Sequence, residues 1–455
     1  MLAMDEIMQN HRTFFKTGET KELSFRLNGL KKLQNALKNH EKEILDALKK
    51  DLNKSEFEGY ETELGLVYEE LQSTIRQLPK WAKKKRVKTP LMHFLSSSFV
   101  YPEPYGTVLI LSPWNYPFQL VMIPLIGALA AGNCCVVKPS EYSFHTSEII
   151  EKIIGEVFRA DYVSVIRGGR AENQLLLEQK FDYIFFTGSP TVGHLVMEKA
   201  AKNLTPITLE LGGKSPCIVE QTANLPLAAK RIVWGKYLNA GQTCIAPDYL
   251  FVHHSVKTAL IEELKKNIAN FYGDTPESNE DYPKIINQKH FERLIGLMKE
   301  GNILFGGNIN QKTRQIAPTL IDGISPDSPI MQEEIFGPLL PILTFETMEE
   351  VCDFVSSRPK PLALYLFTTE NDVIEHTMKE LSFGGGCIND TITHIANPFL
   401  PFGGVGQSGM GQYHGKRSFD TFTHQKAVLK KSNWVDVWLR YPPFKNHLDL
   451  LRKIM

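Results

Sequence analysis

Apolar positions along this chain change their period near residue 106. Before it, Leu23, Leu27, Leu30, Leu33 and Leu37 recur three or four apart with Lys and Asn between them. That spacing predicts an amphipathic helix, and the first ~80 residues read as helices. After it, runs at 107–111, 134–137, 163–166 and 183–186, apolar apart from Thr107 and Ser164, alternate with helical stretches that begin near residue 117, at 147 and after Pro190. A run apolar at every position is what a strand buried on both faces requires. Its alternation with helices predicts an open parallel sheet, here of five strands, with helices on both sides. A second block of the same kind begins near Gly212, with a helix over 225–238 and strands at 249–252 and 362–367.

Four stretches fall outside this rhythm. Residues 80–90 are a basic run ending in Pro90; with no aromatic platform after it, a solvated linker fits better than a nucleic-acid patch. Residues 99–106 predict an extended arm or hairpin leaving the main body. Residues 117–132 are the longest apolar run, but they contain Gln119 and two prolines and fall short of the roughly 20 residues of a membrane span, so a buried helix is expected. Residues 448–455 can form a short amphipathic helix, read as a packed or frayed soluble terminus in preference to a membrane-touching tail.

Composition narrows the classes. At 455 residues the chain is too long for one core. Lys and Arg number 51 and so do Asp and Glu, so no net charge is available to hold a nucleic acid. The N-terminus lacks the basic-then-apolar pattern of a secretory signal. The six cysteines, at 134, 135, 217, 244, 352 and 387, have neither metal-ligand spacing nor a ready disulfide pair, which points to a reduced, cytoplasmic setting without a metal.

The candidate chemistry centres on Glu210, within Thr208-Leu-Glu-Leu-Gly-Gly-Lys-Ser-Pro216, and Cys244, within Asn239-Ala-Gly-Gln-Thr-Cys-Ile-Ala-Pro247. A thiolate is a strong nucleophile, and a carboxylate reaching the same pocket can deprotonate the thiol or an attacking water. An isolated cysteine is otherwise a small packed hydrophobe. Asn115, in a loop stiffened by Pro113 and Pro117, is either a turn-former or an amide donor for an oxyanion. Gly188, Ser189 and Gly193 lie in a strand–turn–helix stretch that departs from the G-x-G-x-x-G pattern, with Ser189 at the cap position and Pro190 in the first turn.

These segments together resemble the aldehyde dehydrogenase family. The resemblance is carried by the two segments above and by Leu111-Ser-Pro-Trp-Asn-Tyr-Pro-Phe118, Lys138-Pro-Ser-Glu141, Phe186-Thr-Gly-Ser-Pro-Thr-Val-Gly193 and Glu333-Glu-Ile-Phe-Gly-Pro338. Residues 400–415, with 418–424 and 440–443, are similar to its class 3 branch, which acts on fatty or aromatic aldehydes. The resemblance implies an α/β fold with two open parallel-sheet domains and a small β oligomerisation arm. Its parts would be an NAD-binding domain (1–86 and 106–210), a catalytic domain (211–406), and an arm with C-terminal segment (87–105 and 407–455, with a strand at 418–428) that joins a homodimer. It implies that Cys244 adds to an aldehyde, that Asn115 and the Cys244 N–H hold the oxyanion, and that Glu210 directs water onto the resulting thioester. Lys138 and Glu141 would hold the adenosine ribose of NAD, with NADP as an accepted alternative. Gly188, Ser189, Gly193 and Leu211 would line the cofactor, Glu334 would take the nicotinamide ribose, and Phe336 would pack near the nicotinamide ring. Trp114, Tyr116 and Trp234 are candidates for an aromatic wall of the aldehyde funnel, although core packing explains Trp234 equally well. Two other classes remain: a thiol hydrolase pairing Cys244 with one of His194, His253, His254 or His290, and a binding protein that keeps the fold without the chemistry.

Overall fold

The computed structural model describes residues 2–436, 438–444 and 447–454. The helical N-terminus forms as its leucine spacing predicts. Helices Leu2–Thr17, Leu23–Asn39, Glu41–Leu52 and Gly65–Trp81 bury one apolar stripe each, and a π turn over Tyr60–Leu64 joins the last to a short helix at Glu56–Gly59.

Three of the apolar runs become inner strands of a six-stranded sheet, and the run at 163–166 becomes one of its edges. From one edge to the other its strands are Gly409–Met410, Ile207–Leu211, Tyr183–Gly188, Thr107–Leu111, Cys134–Lys138 and Val163–Val165. Five run parallel, as expected; the sixth, Gly409–Met410, adds antiparallel with Gly409 opposite Glu210. Two residues in a glycine-rich stretch carry no alternation, so this strand has no sequence signal. The chain enters this sheet at its centre, and the strand order reverses between Thr107–Leu111 and Tyr183–Gly188. Such a reversal opens a crevice at the strands' carboxyl ends, where open α/β sheets take ligands. Leu111, Lys138, Gly188 and Leu211 all stand at those ends.

The second sheet has seven strands in the order Asn302–Phe305, Thr319–Asp322, Leu339–Phe345, Tyr249–His253, Pro216–Val219, Ala363–Phe367 and Gly385–Ile388. Only its first edge strand is antiparallel, and a bulge between Ile303 and Phe305 bends it. A third, antiparallel sheet joins Lys85–Val87, Ser96–Pro104 and Thr423–Lys431. It corrects two expectations. Part of the basic run is strand rather than linker, because Arg86 and its neighbours pair with 98–100. Residues 416–421 are a helix, so the expected strand at 418–428 begins only at Thr423.

The long apolar run is the helix Gln119–Ala131, buried at all 13 positions between the first sheet and the N-terminal helices. Gly127 lets Ser418 approach it closely, since a Cβ there would fall 2.6 Å from the Ser418 Cβ. None of the helices among the described residues is long and apolar enough to cross a membrane. Residues 448–454 do form a helix, with Leu448, Leu450 and Leu451 exposed.

Candidate active site

Glu210 and Cys244 line one cavity of about 290 Å3, although 34 residues and two different sheets separate their attachments. Glu210 ends a strand of the first sheet. Cys244 sits in the turn between the helix Leu225–Tyr237 and the second sheet's strand Tyr249–His253. The rest of the wall is almost wholly apolar, with Leu66, Leu120, Trp234, Ile392, Phe402 and Tyr413 among its members.

The Cys244 turn is built by side chains. Asn239, Ala240 and Gly241 all adopt positive φ, at 52°, 51° and 73°. Such backbone is costly for the first two and persists only where surroundings over-determine it. The surroundings are specific. Asn239 Nδ2 donates to the Asn115 carbonyl (2.8 Å) and the Gln242 carbonyl (3.1 Å). Glu58 accepts from the Asn239 N–H at 2.7 Å. Gln242 Nε2 donates to the carbonyls of Asn239 (3.0 Å) and Lys284 (3.1 Å), and its Oε1 accepts from the Ile286 N–H. At Gly241 a Cβ would fall 2.3 Å from the Gly337 carbonyl, so no other residue fits.

Asn115 is tied to the same turn, its Nδ2 donating to the Gln242 carbonyl at 3.0 Å while its buried Oδ1 has no partner among the described residues. One amide hydrogen is thereby used to aim the group and the other is left. The loop bearing Asn115 rests on a fully buried ion pair that no local pattern reveals. Lys54 Nζ meets Glu63 at 2.6 Å, donates to the Asn115 carbonyl at 3.1 Å and lies 3.9 Å above the Tyr116 ring. Glu63 in turn accepts from the N–H groups of Phe118 and Gln119. Tyr116 reaches the Thr243 hydroxyl at 2.6 Å.

Electrostatics follow from burial. Glu210 is 3% exposed and neither carboxylate oxygen has a partner among the described residues, so desolvation pushes its pKa well above the usual range. Burial also raises the Cys244 thiol, with the charges of Glu334 and Glu210 adding to it, while the N–H groups of Cys244 and Ile245 pull the other way. Glu334 is pushed up to about 8, first by burial and then by Asp248, against the Gly213 N–H and the cations Lys214 and Arg293. The resting site therefore favours neutral groups, and forming a thiolate requires a nearby acceptor for its proton.

The cofactor candidates fall around the crevice of the first sheet. Lys138 Nζ donates to the carbonyls of Gly168 (2.6 Å) and Pro139 (2.9 Å), and the exposed Glu141 carboxylate lies against Gly169. Ser189 occupies the cap position before the helix Pro190–Ala201, as expected, but its hydroxyl makes no cap bond. The free N–H groups of that first turn are thus left for an anion. Gly193 packs on Leu211, which also lines the cavity. Glu334 presses its carboxylate onto Gly212, where a Cβ would fall 2.0 Å away, and its buried Oε1 has no partner among the described residues. Phe336 adopts φ 50°, and Trp114 meets it edge-on at 5.3 Å. An orphaned acceptor, an uncapped helix start and a strained ring position are what a dinucleotide would complete.

Of the three aromatic candidates, Tyr116 and Trp234 line the cavity and Trp114 does not; it packs between Phe336 and His290. The cavity lining holds no histidine, so the hydrolase pairing finds no base there. Sequence reasoning missed Lys54 and Glu63, and on the wall Glu61, Ile392 and Tyr413. Tyr413 stands within the glycine-rich stretch already singled out; the others carry no local signal.

The chain matches the aldehyde dehydrogenase family over residues 3–428 and belongs to it. It is an oxidoreductase of that family's class, oxidising aldehydes. It is 50% identical, over 99% of both chains, to the 4,4'-diaponeurosporen-aldehyde dehydrogenase of Staphylococcus aureus. It is 44% identical to the dimeric, NADP-preferring aldehyde dehydrogenase of Rattus norvegicus, over 97% of this chain and 98% of that one. A substrate-bound Staphylococcus aureus AldH structure superposes with TM-score 0.97 at 49% identity over 99% of each chain.

Proposed function

We propose that this protein oxidises medium- and long-chain aliphatic or aromatic aldehydes to carboxylic acids with Cys244 as nucleophile and Glu210 as base. The observation that carries the reading is one apolar cavity shared by a thiol and an unpartnered, buried carboxylate. Glu210 takes the thiol proton, and the sulfur adds to the aldehyde carbon. The charge that develops on oxygen meets the free amide hydrogen of Asn115 and the Cys244 N–H, a stabilisation worth about 3–4 kcal/mol for a side-chain amide. A bound nicotinamide supplies the hydride acceptor. Once Glu210 has passed that proton to solvent, it draws a proton from the water that attacks the thioester, and the acid leaves with the Cys244 sulfur as thiolate. Relatives that transfer acyl groups to coenzyme A have no need of such a base.

Lys138 and Glu141 would hold the adenosine ribose, Gly188, Ser189 and Gly193 the pyrophosphate, and Leu211, Glu334 and Phe336 the nicotinamide end. Glu141 accepts ribose hydroxyls and repels a 2′-phosphate, whereas Lys138 attracts one, so we assign NAD with NADP tolerated. The NADP preference of the rat relative agrees with that tolerance. We assign residues 1–86 and 106–210 to cofactor binding, 211–406 to catalysis, and 87–105 with 407–455 to a dimer contact. The reading includes a cytoplasmic homodimer, in keeping with the dimeric rat relative.

Replacing Glu210 with Gln tests the scheme. Cofactor reduction should slow 10²–10⁴-fold, and the acyl adduct that does form on Cys244 should persist, visible by intact mass. Undiminished steady-state turnover would remove Glu210 from the reaction.

A further inference from the structure

A second cavity, of about 460 Å3, opens between residue 53, the segment 278–284 and the turn 310–315, behind the Cys244 loop. Its charged lining is Lys284, Lys312 and Arg314 against a single carboxylate, Glu280. Backbone carbonyls answer these cations. Lys284 Nζ donates to the Lys50 carbonyl at 2.6 Å, and Arg314 donates to the carbonyls of Ile285 (3.1 Å) and Ile286 (3.4 Å). Donors remain on all three. Arg314 itself adopts φ 59°, held there as its carbonyl accepts from the Ile285 N–H. Burial lowers the Lys284 pKa and the neighbouring charge of Arg314 lowers it further, with Asp51 pulling the other way. A concave cluster of like charge, under-neutralised by protein, is relieved by a multiply charged anion.

We propose that this groove binds a phosphoryl-bearing anion and that its occupancy is relayed to the Cys244 loop. Three convergent cationic donors exceed what one carboxylate satisfies and suit the oxygens of a phosphoryl group. The relay is a continuous set of hydrogen bonds through residues 284–286. Arg314 grips the carbonyls of Ile285 and Ile286 from the groove side. On the other side, Gln242 accepts from the Ile286 N–H and donates to the Lys284 carbonyl, and its own carbonyl fixes Asn115. An anion that recruits the guanidinium withdraws it from those carbonyls and loosens the segment bracing Gln242, two residues before the nucleophile.

Inorganic pyrophosphate is the probe, titrated calorimetrically at fixed ionic strength with saturating NAD so that the cofactor site is filled. Lys312→Gln should weaken binding about tenfold, the loss of one charge-assisted hydrogen bond. Arg314→Gln should weaken it at least as much, and Glu280→Gln should tighten it about threefold. Lys312 and Glu280 are exposed, so those two variants keep the fold. Pyrophosphate should also change the alkylation rate of Cys244 at least twofold in the parent protein and leave it unchanged in Lys312→Gln. Equal affinity across the variants overturns the site, citrate binding as tightly as pyrophosphate overturns the phosphoryl class, and binding without an alkylation effect overturns the relay.

Discussion

Glu210 and Cys244 reach one cavity on unlike supports. Glu210 stands on a strand whose backbone pairs with Thr187 on one side and Gly409 on the other, yet its carboxylate touches no polar partner among the described residues. Cys244 stands on a loop without a ladder, tied by its own side chains Asn239 and Gln242 and, from elsewhere, by Asn115 and Glu58. The difference matches the tasks. A nucleophile must meet an electrophilic carbon within a narrow geometry, so its loop is braced. A base that serves first a thiol and then a water has two partners in sequence, and a carboxylate committed to a permanent hydrogen bond could serve neither.

Removing the braced group should have the largest effect. Cys244→Ala is expected to lower turnover at least about 10⁴-fold, because without the thioester the reaction loses its covalent route. Near-normal cofactor reduction by that variant would end the comparison, since the scaffolding around residue 244 would then serve something other than its sulfur.

The bracing itself is open to a smaller and more selective attack at Lys54. Lys54→Met leaves the Glu63 carboxylate buried without its cation and the Asn115 carbonyl without one donor, and should cost about 3–5 kcal/mol of stability. Turnover should fall with it, through kcat more than KM, since Asn115 acts on the developing oxyanion. Adding Glu63→Gln should restore most of the stability, because a neutral amide oxygen can still accept from Phe118 and Gln119. Differential scanning calorimetry of the single and double variants decides it; a double variant as unstable as the single would show that charge burial is not what the pair governs.

The two supports were unequally legible in the sequence. Strands such as Thr107–Leu111 and Cys134–Lys138 announce themselves because burial on both faces forces unbroken apolar runs. Glu210 shares only part of that legibility: Thr208 and Glu210 itself interrupt the apolar residues of Ile207–Leu211, so the carboxylate was singled out by its motif. The Cys244 turn could be found only as a motif, since hydrogen bonds between residues 115, 239 and 242 leave no periodic trace. Lys54 and Glu63 were invisible for a stronger reason: a Lys and a Glu nine apart in a helical, lysine-rich region look like solvated surface, and only the packed fold reveals that both are fully buried. Gly409–Met410 was missed because two residues are too few to alternate. Trp114 was misplaced because proximity to Asn115 along the chain says nothing about which side of the loop its ring faces.

The smallest expected effect lies on the far wall, where the cavity residue Phe402 is flanked by the half-buried imidazole of His394 and the buried one of His414. His394 stacks on it at 6.0 Å and His414 meets it at 5.5 Å. Burial holds His394 at about 4 and His414 at about 3, the latter helped by the charge of His394. His11, buried against Ser164, is likewise held at about 4. All three are neutral in the folded protein, whereas in the unfolded chain they gain protons near pH 6.5. Their contribution is complete above pH 6.5 and drains away as pH falls toward 4 and 3. Their share of Tm should accordingly be flat above pH 6.5 and decline through that acid window. His414→Phe keeps an aromatic ring against Phe402 and Tyr413 and removes one of the three protonation sites, so its acid decline should be shallower by a visible fraction. An identical slope in parent and variant would mean that acid reaches the fold elsewhere first, and Glu210 and Glu334, whose raised pKa values give the reverse dependence, could not be the reason.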